Sequence, residues 1–154
     1  MSNVMKHSFD PSKHDLFVPR NPQKYIGKGP IVLRSSWELT FSQWCDSNPG
    51  VIAWNSEGIE VPYFDPVKNK QRRYYPDFII KTVGPGNKEI TTMVEIKPFK
   101  EIMAPQLSKG KSQKTRLYEA ATYATNTAKW KAAQQFCRLR GWVFKIITEK
   151  ELYK

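Results

Sequence analysis

Asp77, in Tyr75-Pro76-Asp77-Phe78, and the triplet Glu95-Ile96-Lys97 hold residue types that could do chemistry together. Side chains two positions apart on a strand point the same way, so Glu95 and Lys97 share a face. If the strand carrying Asp77 lies beside them, two carboxylates and an ammonium meet on one patch. Neighbouring carboxylates repel, and a divalent cation relieves the repulsion. A lysine beside them can orient or deprotonate a water, or stabilise charge developing on a phosphate. The set reads as a metal-dependent phosphodiesterase site. The plainer alternative is a solvated hairpin face with Lys97 as a cross-strand partner, but Pro76 and the apolar residues on both faces favour burial.

The elements that must position these residues are legible. Tyr74–Lys81 reads as one strand, Gly84-Pro85-Gly86-Asn87 as a turn, and Thr91–Lys97 as the returning strand. Asp77 then shares a face with Tyr75 and Ile79, and Glu95 and Lys97 share one with Met93. Upstream, Arg34–Cys45 reads as a helix with Trp37, Phe41, Trp44 and Cys45 on its core side. Glu38 falls at the edge of that stripe, nearly in line with Cys45, and a carboxylate there needs a partner or a metal. Ser35-x-x-Glu38 also matches a capping box, in which Glu38 would bond back to the Ser35 amide; the two roles are compatible.

Between these, Val51–Trp54 and Ile59–Tyr63 read as short strands, Asp65–Lys70 as a hairpin turn and Arg72–Lys81 as the next strand. A long helix runs from Gln113 toward Arg140, with Leu117, Ala121, Ala124, Ala128, Ala132, Phe136 and Leu139 as its expected buried stripe. Gly141 stands where a C-cap glycine belongs, with Arg138 and Arg140 in the last turn. Trp142–Ile147 reads as a strand, and Thr148-x-x-Glu151 as the cap of a final short helix. The loop Met103–Gly110, with Pro105, Ser108 and Gly110, reads as mobile. No phosphate-binding P-loop or dinucleotide glycine fingerprint is present, so no nucleotide cofactor is expected.

A chain of 154 residues suits one domain. Residues 1–29 contain Pro11, Pro19 and Pro22 and little apolar periodicity, and read as a basic N-terminal arm; residues 30–154 read as the domain. The formal charge is +11, from 25 Lys and Arg against 14 Asp and Glu, which favours a polyanionic partner. Lys68, Lys70, Arg72 and Arg73 flank the Asp77 side; Lys97, Lys100, Lys109, Lys111, Lys114 and Arg116 flank the Glu95 side. Of these, Arg72, Arg73, Lys109, Lys111, Lys114 and Arg116 are the expected DNA phosphate contacts. No apolar run is long enough to span a membrane, and Met1–Lys13 has no signal-peptide centre, so an intracellular, non-secreted protein is expected. Cys45 and Cys137 read as reduced core thiols, and His7 and His14 as non-ligands.

The order of elements resembles the PD-(D/E)XK nuclease superfamily, and more closely the head-completion nucleases of tailed bacteriophages; transposon endonuclease subunits share the same run. The likeness rests on Arg34-Ser35-Ser36-Trp37-Glu38, Trp44-Cys45-Asp46, Trp54-x-x-Glu57 leading to Val61-Pro62-Tyr63, Tyr75-Pro76-Asp77-Phe78 and Val94-Glu95-Ile96-Lys97-Pro98, and covers roughly residues 30–148. It implies a single α/β domain with a restriction-endonuclease-like αβββαβ core, its mixed central sheet flanked by helices. It implies Mg2+ or Mn2+ held by Asp77 and Glu95, with the Ile96 carbonyl a further ligand, Glu38 serving a second metal or its water, and Lys97 activating the attacking water. The implied setting is head completion in the host cytoplasm or virion, with DNA trimmed before head and tail join, and portal or connector proteins as further partners. Two alternatives stay open: a non-cleaving structural protein of the same fold, and a junction-resolving, repair or transposon-type nuclease.

Overall fold

The computed structural model describes residues 16–106 and 108–153. His7, His14 and the first half of the expected N-terminal arm lie outside the described residues. In chain order the elements are β1 (Leu16–Phe17), β2 (Ile31–Val32), α1 (Ser36–Ser47), β3 (Val51–Ser56), β4 (Val61–Asp65), β5 (Lys70–Tyr74), β6 (Phe78–Val83), β7 (Glu89–Ile96), α2 (Phe99–Ile102), α3 (Gln113–Arg140), β8 (Val143–Ile147) and α4 (Glu149–Leu152). The central sheet has the order β3-β6-β7-β8. β6 runs antiparallel to both β3 and β7, while β8 returns parallel to β7 after the α3 crossover. The sheet is therefore mixed, as a crossover helix between adjacent strands requires. β4 and β5 form a separate hairpin, and β1 pairs with β2.

Strand alternation divides the core into two layers. Phe78, Ile80 and Val94 face α1, where they pack with Leu33, Leu39, Phe41, Cys45, Val51 and Trp54. Ile79 and Met93 face α3 and the β4–β5 hairpin, among Val61, Tyr63, Tyr74, Trp130, Ala133 and Cys137. Both cysteines are free and buried, and burial raises both thiols above the ordinary range. Residues 16–29 are fastened to this domain: Phe17 and Tyr25 set their rings edge-on to Trp54, 5.9 and 4.7 Å between centroids. Buried Asp46, near the end of α1, accepts the Arg20 and Asn21 amides at 2.8 and 2.9 Å. Among the described residues no helix is long and apolar enough to cross a membrane.

Three local expectations are corrected. The single strand expected over Arg72–Lys81 is two, because Pro76 has no N–H for a ladder and is fully buried where the chain passes from hairpin to sheet. The stripe on α3 holds only in part: Ala128, Ala132 and Phe136 pack against the core, but the most buried positions are Asn126, Trp130, Ala133 and Cys137, and Leu117 and Leu139 are 65 and 75% exposed. The alanines make an apolar row, but the large Trp130 fixes which side of the helix meets the sheet. Loop 103–110 is tethered in part, since Lys111 donates to the Gln106 carbonyl at 3.0 Å and Arg116 to that of Ser108 at 2.9 Å. The expected ends of α3 and α4 are present, with Gly141 left-handed at φ 70° and a full capping box at Thr148 and Glu151.

Candidate active site

Pairing of Phe78 with Val94 sets the register that carries Asp77 beside Glu95 at the end of β6. Two backbone bonds hold Asp77 there. Its carbonyl accepts the Glu57 amide at 3.0 Å, and its Oδ2 accepts the Ile96 amide at 2.7 Å. The carboxylate is thus tied to β7 one residue beyond Glu95, whose side chain is buried. Burial, then the Glu95 charge, push the Asp77 carboxyl well above the usual carboxylate range; Glu38 adds to the rise and the Ile96 amide opposes it. The rise favours the neutral form of the Asp77 carboxyl.

Glu38 reaches the same region from the other layer. Ser35 is the N-cap of α1, and its hydroxyl accepts the Glu38 amide at 3.1 Å and donates to Glu38 Oε2 at 3.2 Å. The carboxylate is therefore tied to the Ser35 hydroxyl rather than closing a capping box on the Ser35 amide. Its other oxygen, Oε1, is buried without a hydrogen-bond partner. Burial raises the Glu38 carboxyl, and the Glu57 charge adds to the rise against the Ser35 bond. Lys97, half-buried, follows β7, its amide donating to the Ile147 carbonyl at 3.0 Å.

The donor set is carboxylate oxygen with an adjoining backbone, which suits a hard cation such as Mg2+ rather than zinc. Among the described residues no three or more His, Cys, Asp or Glu side chains form a ready-made cage. The orphaned Glu38 Oε1 and the strained Asp77–Glu95 pair are the two places where a cation or its water would relieve a cost already present in the fold.

The chain matches the family described as "TnsA-like endonuclease N terminal" over residues 48–149. The chain belongs to that family. It is also 40% identical over 141 residues to the head completion nuclease of Enterobacteria phage T4, covering 88% of this chain and 91% of that protein. No solved structure matches it. Within this TnsA-like endonuclease domain, the matched span contains Asp77, Glu95, Ile96 and Lys97, while Glu38 lies before it.

The expected phosphate contacts divide. Lys109 and Lys114 are exposed and take part in no ion pair among the described residues. Lys111 pairs with Glu119 at 2.7 Å, and Arg73 with Glu60 at 2.8 Å. Arg72 has a structural role, since it donates to Asp65 Oδ2 at 3.1 Å, and Asp65 is 1% exposed. Sequence reasoning missed three residues that the fold places at the site. Tyr74 has a buried, unpartnered hydroxyl that burial and the Glu95 charge raise. Glu57 pairs with Arg34 at 2.8 Å from a left-handed backbone at φ 50°, an uncommon conformation for a non-glycine residue. Lys129 lies on α3 beside the chemistry of Glu95 and Lys97. Only phasing α3 on Trp130 would have drawn attention to it.

Proposed function

We propose that this protein is a metal-dependent DNA endonuclease acting in phage head completion, trimming DNA in the host cytoplasm before the head joins its tail. The observation that carries the reading is Asp77 set beside Glu95, its carboxylate tied to β7 by the Ile96 amide at 2.7 Å, within a family-matched nuclease domain. Asp77 and Glu95 would hold Mg2+ or Mn2+, with the Ile96 carbonyl as a further ligand. When bound, the ion supplies charge neutralisation for the two acids and polarises the phosphodiester. Lys97, on the face of Glu95, orients the attacking water and offsets negative charge growing on the phosphorus oxygens. Glu38 Oε1 accepts a hydrogen bond from that water or holds a second ion. One P–O bond forms to the water oxygen, which gives up a proton to solvent, and one P–O bond breaks, the leaving oxygen taking a proton from solvent. Lys109 and Lys114 contact flanking phosphates, joined by Lys111, Arg116 and Arg73 to the extent that their present bonds exchange, while Arg72 holds Asp65. Portal or connector proteins are the partners that this setting entails.

The test is cleavage of supercoiled plasmid with Mg2+ and with EDTA, for wild type and for Asp77→Ala, Glu95→Ala and Lys97→Ala. Each substitution is expected to lower the rate by about 10²-fold or more, with near-native circular dichroism. Undiminished cleavage by Asp77→Ala, or by wild type in EDTA, refutes the metal site. Absence of nicking at any concentration of wild type favours a structural role.

A further inference from the structure

Lys129 projects from the sheet-facing side of α3, one residue before buried Trp130. Its ammonium lies over the rings of Tyr63 and Tyr74, 5.9 and 5.7 Å from their centroids. Those tyrosines belong to β4 and β5. The same hairpin is tied to α3 one turn earlier, where the Thr125 hydroxyl donates to Asp65 Oδ1 at 3.2 Å. The helix and hairpin therefore fix the lysine between them, with its stem over aromatic surface and its charge near Glu95.

The charges that face Lys129 are Glu95 and Asp65, which favour the cation, and Lys97 and Arg72, which oppose it; burial is the largest influence and lowers its pKa. An ammonium carries three donors. Among the described residues none of the ion pairs includes Lys129, and no protein oxygen accepts a hydrogen bond from it. Asp65 is engaged: it already takes Arg72, the Val67 and Lys68 amides and Thr125. Glu95 faces Asp77, whose carboxyl its charge raises. A half-buried cation with two further cations nearby costs free energy unless an anion joins them. For a nuclease that anion is the substrate backbone.

Resting on the nuclease reading above, we propose that Lys129 and Lys97 together form a phosphate subsite in which Lys129 holds a phosphodiester oxygen of the strand lying beside Glu95. Lys129 is then a phosphate contact supplied by the crossover helix, distinct from the loop lysines that meet DNA outside the cleft. Its geometry also explains why the stripe of α3 turns polar at Asn126 and Lys129: the middle of the helix faces substrate as well as core.

The experiment measures duplex binding with Ca2+ in place of Mg2+, titrated with salt, for wild type, Lys129→Met and Lys129→Arg. Met keeps the stem over the two rings and removes the charge. The slope of log affinity against log salt is expected to fall by roughly 1 in Lys129→Met. Its affinity deficit should shrink roughly 3.5-fold between about 50 and about 200 mM salt. Lys129→Arg should restore the slope. An unchanged slope in Lys129→Met, or no restoration by Arg, overturns the subsite. Because a variant in the core margin can fail to fold, the wild-type protein is also labelled with 15N-lysine. Its Lys129 Nζ signal should shift on adding duplex and show coupling to phosphorus; a signal indifferent to duplex overturns the proposal without any variant. Failure of wild type to cut plasmid refutes the nuclease reading while leaving these binding comparisons interpretable. Full cleavage with an unchanged Lys129→Met slope removes the subsite alone.

Discussion

Replacing Asp77 with asparagine is expected to flatten the pH dependence of stability in the metal-free protein. Burial first, and the Glu95 charge second, raise the Asp77 carboxyl from 3.8 to about 9, so the native carboxyl keeps its proton at neutral pH. The unfolded chain has lost that proton above about pH 4. Between those limits the native state binds one proton more than the unfolded state. Stability therefore falls as pH rises, and the contribution is gone once pH passes the native value. One proton gives a slope of about 1.4 kcal/mol per pH unit. From about pH 6.5 to about pH 8.5 wild type should lose about 2.8 kcal/mol, a drop in Tm of roughly 6–11 °C for a chain of this size. Burial also raises Glu38, which bends the curve in the same direction at lower pH. Asp77→Asn removes the carboxyl that binds this proton, so its stability should stay level over the window. Urea unfolding in EDTA at three pH values, with the m-value checked for constancy, measures both curves. Parallel slopes for the two proteins, or wild-type stability that rises with pH, refute this account of the Asp77 carboxyl.

Glu38→Gln should fold normally, because the glutamine carbonyl can still accept from the Ser35 hydroxyl that now holds Oε2 at 3.2 Å, yet lose plasmid nicking; retained turnover at unchanged metal affinity would make Glu38 a helix-end residue only. The two basic groups should behave differently on neutralisation. Changing Lys109, Lys111 and Lys114 to glutamine should lower the salt slope of duplex binding by roughly 1 per backbone contact, equally for unrelated sequences. Arg72→Met should instead show up in urea unfolding as a lower midpoint, because Asp65 loses its cation. An Arg72→Met protein of wild-type stability would refute the structural role of that arginine.

The acidic half of the site was legible because it obeys strand and helix periods. Asp77, Glu95 and Lys97 followed from alternation, and Glu38 from its place beside Cys45 on α1. What alternation could not supply was the break at Pro76, which frees Asp77 from β5 so that its carboxylate can reach the Ile96 amide on β7. The cationic half was illegible for a different reason. A search for apolar periodicity on α3 settles on the alanine row, because a functional face interrupts its own hydrophobic pattern: Asn126 and Lys129 occupy positions at or beside the Trp130–Cys137 stripe. Likewise Arg72 reads as a DNA contact until its partner is known. The partner, Asp65, is seven residues away across the hairpin, and it is also bonded by Thr125, 60 residues on. Charge counting sees the surplus of +11 but not which cations the fold has already committed. That distinction separates Arg72, held by a buried acid, from Lys129, held over two aromatic rings with no acceptor among the described residues. The less conspicuous lysine, inside an alanine-rich helix, is therefore the stronger candidate for meeting the substrate.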